Sequence, residues 1–242
     1  MSKSNVYYIL VEPKEGGNIG AAARAIKNMG FSNLVLVRPC DYLTDESYRF
    51  AHGARDVLRG CAVYDDFRDA LRDKSIVIGT SRRFGNTRGI RLPVAEGAQY
   101  AFEMAASNKV AIVFGREDNG LLNEEIEACG VLLYIPASEA QPSLNLAQAV
   151  LVTAYEIARL YDKGGSGASH ELVNGDGLER LYERIGRLLP LLGYGFRGSE
   201  DIIGGIMRNI RHLVGRAGLT QWELNMLYGL LTAVQEKIKG EL

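Results

Sequence analysis

Lys109-Val110-Ala111-Ile112-Val113-Phe114-Gly115-Arg116-Glu117-Asp118 is an apolar run that stops in a glycine and three charged residues. A run this short, rich in β-branched residues and without polar alternation, predicts a strand buried on both faces, as in a parallel sheet covered by helices. The polar island behind it then falls where a strand hands over to a helix. Two other islands are placed alike: Gly17-Asn18-Ile19-Gly20 with Arg24, after the run at 6–11, and Pro142-Ser143-Leu144-Asn145, after the run at 131–135. Loops at the carboxyl ends of parallel strands converge on one crevice, so the islands predict one pocket and, by their polar content, an enzyme.

Working outward, residues 6–11, 34–37, 62–64, 75–79 and 131–135 read as further strands, mostly buried on both faces, with helical spacing at 19–29, 67–72, 95–106 and 124–129 between them. Strands separated by helices imply right-handed β-α-β units, hence an α/β fold: a mostly parallel sheet with helices on both faces. Residues 144–161 form the longest periodic segment, whose stripe of Leu146, Ala149, Val150, Thr153, Ala154 and Ile157 suits the sheet or a partner chain. Lys163-Gly164-Gly165-Ser166-Gly167-Ala168-Ser169 is linker-like by composition. The expected organisation is therefore a main domain at 1–163, a linker at 164–169 and a small helical C-terminal extension at 170–242. Helices are expected there at 178–189, 202–214 and 221–238, the last opened by a Thr220–Glu223 capping box.

Composition narrows the class. The 242 residues are 47% hydrophobic, with no apolar stretch near the roughly 20 residues of a membrane span, so no membrane partner is expected. The N-terminus runs straight into a strand without a signal-peptide pattern, and a cytoplasmic location follows. Cys40, Cys61 and Cys129 are odd in number and widely spaced, which favours free buried thiols over disulfides or zinc; no metal is expected. A net charge of -1 gives no general attraction to nucleic acid. Local clusters exist in Arg82, Arg83, Arg88 and Arg91, and in Arg208, Arg211, His212 and Arg216, each also readable as a solvated face.

Gly16-Gly17-x-x-Gly20 after the first strand admits a dinucleotide reading, since glycines there let phosphate approach helix N–H groups. The spacing is not G-x-G-x-x-G, and Arg38-Pro39-Cys40 stands where an acid would hold a nicotinamide ribose. Arg38 would suit a 2′-phosphate, so an NADP-linked enzyme remains the runner-up. Asn18 reads as the N-cap of a helix beginning at Ile19. Arg24, one long cation among Ala21, Ala22, Ala23 and Ala25, is either a solvated helix residue or, as the islands together favour, a substrate contact.

Together, the stretches 18–30 (NIGAAARAIKNMG), 112–121 (IVFGREDNGL) and 143–149 (SLNLAQA) resemble the three motifs of the SpoU class of SPOUT RNA methyltransferases, in order, spacing and placement. The resemblance covers roughly residues 5–162. Within that class the chain is most similar to the tRNA ribose 2′-O-methyltransferases of cytidine and uridine at anticodon-loop position 32, the helical tail included. The resemblance implies S-adenosyl-L-methionine as methyl donor, tRNA as substrate, a homodimer, and a C-terminal trefoil knot threaded by the last strands and long helix. Methylation of another tRNA or rRNA nucleotide, and a non-catalytic RNA-binding protein of the same fold, are the alternatives.

By that likeness Thr80, Ser81, Arg82, Gly115, Ile135, Pro142, Ser143 and Leu144 are expected to form the donor pocket, with backbone groups and apolar walls doing most of the binding. Ile135 and Glu117 also have plain structural readings, as a core strand residue and as a partner for Arg116 or a helix N-terminus. Arg24 is expected at the reacting hydroxyl, oriented with the ribose by Asn18, Glu117, Ser143 and Asn145. A guanidinium stays charged near neutral pH, so the expected role is to grip a phosphate and ease hydroxyl ionisation rather than to take the proton. RNA contacts are expected from Arg24, Arg82, Arg83, Arg88 and Arg91, and secondarily near Arg208 and Arg211. Tyr194, Phe196 and Trp222 are candidates for base stacking, with core packing the favoured reading of each.

Overall fold

Strands with apolar residues on both faces need two layers of cover, and that requirement shapes the computed structural model, which describes residues 3–82, 90–162, 170–197 and 200–240. Seven strands, β1 (Val6–Val11), β2 (Asn33–Val37), β3 (Ala62–Tyr64), β4 (Ile76–Thr80), β5 (Ile90–Pro93), β6 (Val110–Phe114) and β7 (Val131–Tyr134), form a wholly parallel sheet. Their order is β3-β2-β1-β6-β4-β7-β5, with β1 and β6 in register from Val6 opposite Val110 to Leu10 opposite Phe114. Alternate residues of one strand feed opposite layers. Tyr8 and Leu10 join Ile19 and Ile26 of α1 (Gly16–Asn28), Ala98 and Ala101 of α5 (Val94–Met104), and Val150 and Ile157 of α7 (Leu146–Asp162). Ile9 and Val11 join Phe67 of α4 (Phe67–Leu71) and Ile126 of α6 (Asn123–Glu127) on the other face.

Several features depart from the sequence expectations. β3 is largely exposed, because a three-residue edge strand has a neighbour on one side only. β5 was not expected at all; it is a four-residue edge strand ending in Pro93, which lacks the N–H for a further ladder bond. α2 (Asp45–Phe50) and α3 (Arg55–Arg59) are too short to show helical periodicity, yet both pack on α1. Contact with α2 depends on glycine, since a Cβ at Gly20 would lie 2.2 Å from the Ser47 carbonyl oxygen. The cysteines are free, but only Cys129 is buried; Cys40 and Cys61 flank strands at the rim and are half-buried.

The tail is α8 (Gly175–Leu191), a ribbon of β8 (Phe196–Arg197) and β9 (Glu200–Asp201), then α9 (Ile202–Ala217) and α10 (Gln221–Gly240). Its helices share a small core of Leu178, Leu181, Tyr182, Val214 and Leu224. Thr220 and Glu223 form the expected capping box: the Thr220 N–H donates to the Glu223 carboxylate at 2.8 Å and the Glu223 N–H to the Thr220 hydroxyl at 3.3 Å. α9 packs against β4 and β7. The Gly175 N–H donates to the Lys74 carbonyl at 2.8 Å, and ion pairs Arg72–Asp176 (2.9 Å) and Arg208–Glu127 (2.7 Å) span the seam. Arg211 is also engaged, with both oxygens of Glu179. The tail cations considered for RNA thus tie helices together. Residues 164–169, expected as a linker, lie outside the described residues.

Candidate active site

β6 ends at Phe114, and the loop beyond it closes on itself. A Cβ at Gly115 would lie 2.1 Å from the Gly120 carbonyl carbon, so only glycine fits. Arg116 and Gly120 exchange backbone hydrogen bonds of 3.2 and 2.9 Å across the loop. The Arg116 side chain, 6% exposed, turns inward to Glu12 at 2.6 Å and to both oxygens of Glu125 at 3.0 and 2.9 Å. Glu12 and Arg38 are the first residues past β1 and β2, and both have left-handed backbones, with φ of 46° and 43°. Such conformations cost about 1–3 kcal/mol each and persist where surroundings impose them. Here the Glu12 carboxylate joins Arg38 at 2.6 Å to Arg116. The Arg116 hydrogen bond above all, then Arg38, outweighs partial burial and holds the Glu12 carboxyl down to about 2. Glu125 and Glu12 likewise push Arg116 upward.

With Arg116 buried against these acids, Glu117 faces α1. It accepts hydrogen bonds from the Lys14 N–H and from the Asn18 amide, both at 3.0 Å. Asn18 is not the expected N-cap: α1 begins at Gly16 after Glu15, which leaves the Asn18 side chain on the first turn and free for tertiary contacts. Its amide also donates to Glu15 at 3.0 Å, and its oxygen accepts from Asn145 at 2.9 Å. Asn145 caps α7, accepting from the Ala147 N–H at 2.9 Å while its own N–H meets Gln148 at 3.2 Å. Glu117, Asn18 and Asn145 therefore join all three islands in one hydrogen-bonded chain.

Beside that chain, at the carboxyl ends of β6, β4 and β7, lies a cleft of about 860 Å³, counting space open to solvent. Thr80, Ser81, Arg82, Gly115, Ile135, Pro142, Ser143 and Leu144 all line it, over a floor that includes Phe114, Leu121, Leu133 and Leu146. The Thr80 hydroxyl donates to the Val113 carbonyl at 2.9 Å and the Ser81 N–H to Leu133 at 3.0 Å, fixing the wall after β4. Arg91 braces the same wall, donating to the Ser81 carbonyl at 3.3 Å with its guanidinium over the Tyr134 ring. Arg82 is exposed at the rim, while Arg83 and Arg88 lie outside the described residues.

Arg24 is not brought to this cleft within one chain. It lies six residues beyond Asn18, about 9 Å along the helix at 1.5 Å per residue, exposed and without a hydrogen bond or ion pair to any described residue. At the start of α1, Glu15 and Glu117 hold the Asn18 amide and α2 packs on Gly20, so these glycines serve helix packing and two acids stand where the dinucleotide reading would seat a phosphate. Tyr194 and Trp222 are exposed, Trp222 at 72%, rather than packed in a core; the side chain of Phe196 is outside the described set. Glu12 and Glu125 escaped the sequence reading, and Arg116 pairs with them rather than with Glu117. Their one signal was position, acids and a buried-run arginine at strand ends, and nothing in residue identity announces a left-handed glutamate. No helix among the described residues is long and apolar enough to cross a membrane, and no group of three or more His, Cys, Asp or Glu there could hold a metal.

A parallel sheet whose first, sixth and seventh strands lead into these three coupled turns defines an α/β protein with a crevice at the carboxyl ends of its strands. The chain belongs to the SpoU rRNA Methylase family, which matches residues 5–155. It is 38% identical to the tRNA (cytidine/uridine/adenosine-2′-O-)-methyltransferase TrmJ of Pseudomonas aeruginosa, covering 96% of this chain and 94% of that one. It is 37% identical to the tRNA (cytidine/uridine-2′-O-)-methyltransferase TrmJ of Salmonella typhimurium, covering 98% and 99%. Among solved structures, TrmJ from Z. mobilis superimposes with a TM-score of 0.80 at 29% identity, over 95% of this chain and 98% of that one.

Proposed function

We propose that the protein is an S-adenosyl-L-methionine-dependent tRNA ribose 2′-O-methyltransferase of cytidine and uridine at anticodon-loop position 32, acting in the cytoplasm as a homodimer. The observation that carries this reading is the Glu117–Asn18–Asn145 chain at the mouth of the cleft, which couples the turn of each motif to the other two. The cleft fits the donor. Its walls offer main-chain groups at residues 115, 133–135 and 142–144 and apolar side chains, the set that suits an adenosine. Full-length likeness to tRNA methyltransferases, tail included, supports tRNA as the substrate class.

The bound donor supplies an electrophilic methyl on a sulfonium, so the chain has to align a ribose hydroxyl and assist its ionisation. Glu117 and Asn145 fix Asn18, and the Ser143 turn holds the cleft rim. Arg24, unpaired and exposed, is available to grip a phosphate next to the target and stabilise negative charge on the 2′-oxygen, the proton leaving to phosphate or water. Its distance from Asn18 along α1 makes the cleft of a twin chain its natural destination. Leu151 and Tyr155, exposed one turn apart on α7, supply apolar surface for that pairing.

Thermal shift with S-adenosyl-L-methionine, S-adenosylhomocysteine and NADP tests the donor: the first two should raise the melting temperature. Stabilisation by NADP alone would reverse the reading. Arg24→Lys should lose most turnover at neutral pH while donor binding is kept. Retained turnover with a profile set by the lysine would point to a true base at this position.

A further inference from the structure

α2 and α3 carry exposed cations away from the cleft. Arg49, Arg55 and Arg59 are exposed and none forms an ion pair with a described carboxylate; His52 is exposed on the turn between them. Asp56 of α3 is engaged with Lys27 at 2.6 Å; Asp45 and Glu46 lie one turn before Arg49 on α2, Glu46 beside Gly17, and neither forms an ion pair with that arginine. Rings lie among the cations. The Arg49 guanidinium is 5.4 Å from the centre of Phe50, a ring 44% exposed, and Tyr48 lies between Arg55 at 5.8 Å and Arg59 at 5.1 Å.

Helix geometry puts this surface beside Arg24. Gly17, Gly20 and Arg24 share one side of α1. The Phe50 ring rests on Gly17, where a Cβ would stand 3.2 Å from it, and the α2 backbone lies on Gly20. One turn past Arg24, Lys27 holds α3 through Asp56. Arg24 therefore emerges between the two contacts, next to the α2–α3 turn.

We propose that the α2–α3 surface grips a single-stranded RNA loop, with Arg49 and Arg55 on phosphates and Phe50 against the face of a base. The proposal rests on the RNA methyl-transfer reading and adds a binding surface to it. Unopposed guanidiniums meet phosphate, and an exposed ring flanked by a cation stacks on an unpaired base, which a duplex does not offer. An acidic protein would engage the arginines and leave the ring unused.

Filter or fluorescence binding of an anticodon stem-loop at several salt concentrations tests this without requiring turnover. Arg49→Gln/Arg55→Gln should weaken binding roughly tenfold or more and flatten the slope of log affinity against log salt by about 1.4, at about 0.7 per phosphate contact on a single strand. Phe50→Leu keeps an apolar side chain on Gly17 and should weaken binding about fivefold or more with the slope unchanged. Unchanged melting temperatures exclude misfolding as the cause; a variant that melts early is replaced by Arg49→Lys/Arg55→Gln, expected to lose about half the slope change. Wild-type affinity and slope in the arginine variants would overturn the proposal, the result also expected if this face bound an acidic protein. Failure of wild-type protein to methylate RNA would instead count against the functional reading.

Discussion

The carboxyl ends of the strands and the seam beneath the tail are both held by charge and by close glycine contacts, but to different degrees. At the crevice, Arg116 is 6% exposed and meets two carboxylates, and Asn18 bonds to three partners from separate segments. At the seam, the bridging pairs Arg72–Asp176 and Arg208–Glu127 have side chains 36–64% exposed. Buried, fully partnered polar groups hold one geometry, and losing one partner strands the rest. Exposed pairs are screened and individually weak. The crevice is thus built to stay as it is, and the seam to hold the tail by many small increments.

Arg116→Met should break this contrast most severely. It leaves buried Glu125 without its cation and Glu12 with Arg38 alone, and should cost about 3–5 kcal/mol in denaturant unfolding, with loss of donor binding. Next comes the seam's own close contact: a Cβ at Gly130 would stand 2.0 Å from the Gly215 carbonyl oxygen. Gly130→Ala should cost about 1–3 kcal/mol by overpacking and speed hydrogen exchange at Gly175 and Asp176, whose N–H groups bond across the seam, while the crevice amides stay protected.

Acid sharpens the comparison further. Glu12 has its carboxyl lowered from 4.5 to about 2 by Arg116 and Arg38, so its stabilising contribution is complete above pH 4.5 and fades as pH falls toward 2. Glu12→Gln should therefore be less stable than wild type at pH 6, with the gap closing between pH 4.5 and 2 in urea titrations. Smallest of all, Arg208→Ala should change unfolding free energy by less than about 1 kcal/mol, a difference shrinking in added salt.

The sheet was legible where its strands are buried: 6–11 is matched to the residue, and the runs ending at Val37, Phe114 and Tyr134 to within a residue or so, while 62–64 is matched although that edge strand is exposed. Burial on both faces leaves a continuous apolar signature that survives without context. Edge strand β5 and the two short helices had no such signature, since they lean on neighbours rather than on their own periodicity. The cleft lining was found through family likeness, and island placement explains why those turns meet. Asn18 was misread because N-capping is a local rule, and here tertiary partners across the crevice determine its role. The Glu12–Arg38 pair stayed hidden because the left-handed backbones that form it are imposed by the assembled fold.

The three coupled turns act together only if they form one methyl-transfer site. Purified protein, S-adenosyl-L-methionine and tRNA lacking ribose methylation, digested and read by nucleoside mass spectrometry, test it most directly. Wild-type protein should yield 2′-O-methylated cytidine or uridine from the anticodon loop, and Arg24→Ala almost none. Methylation on a base, or equal yield from both proteins, would contradict it.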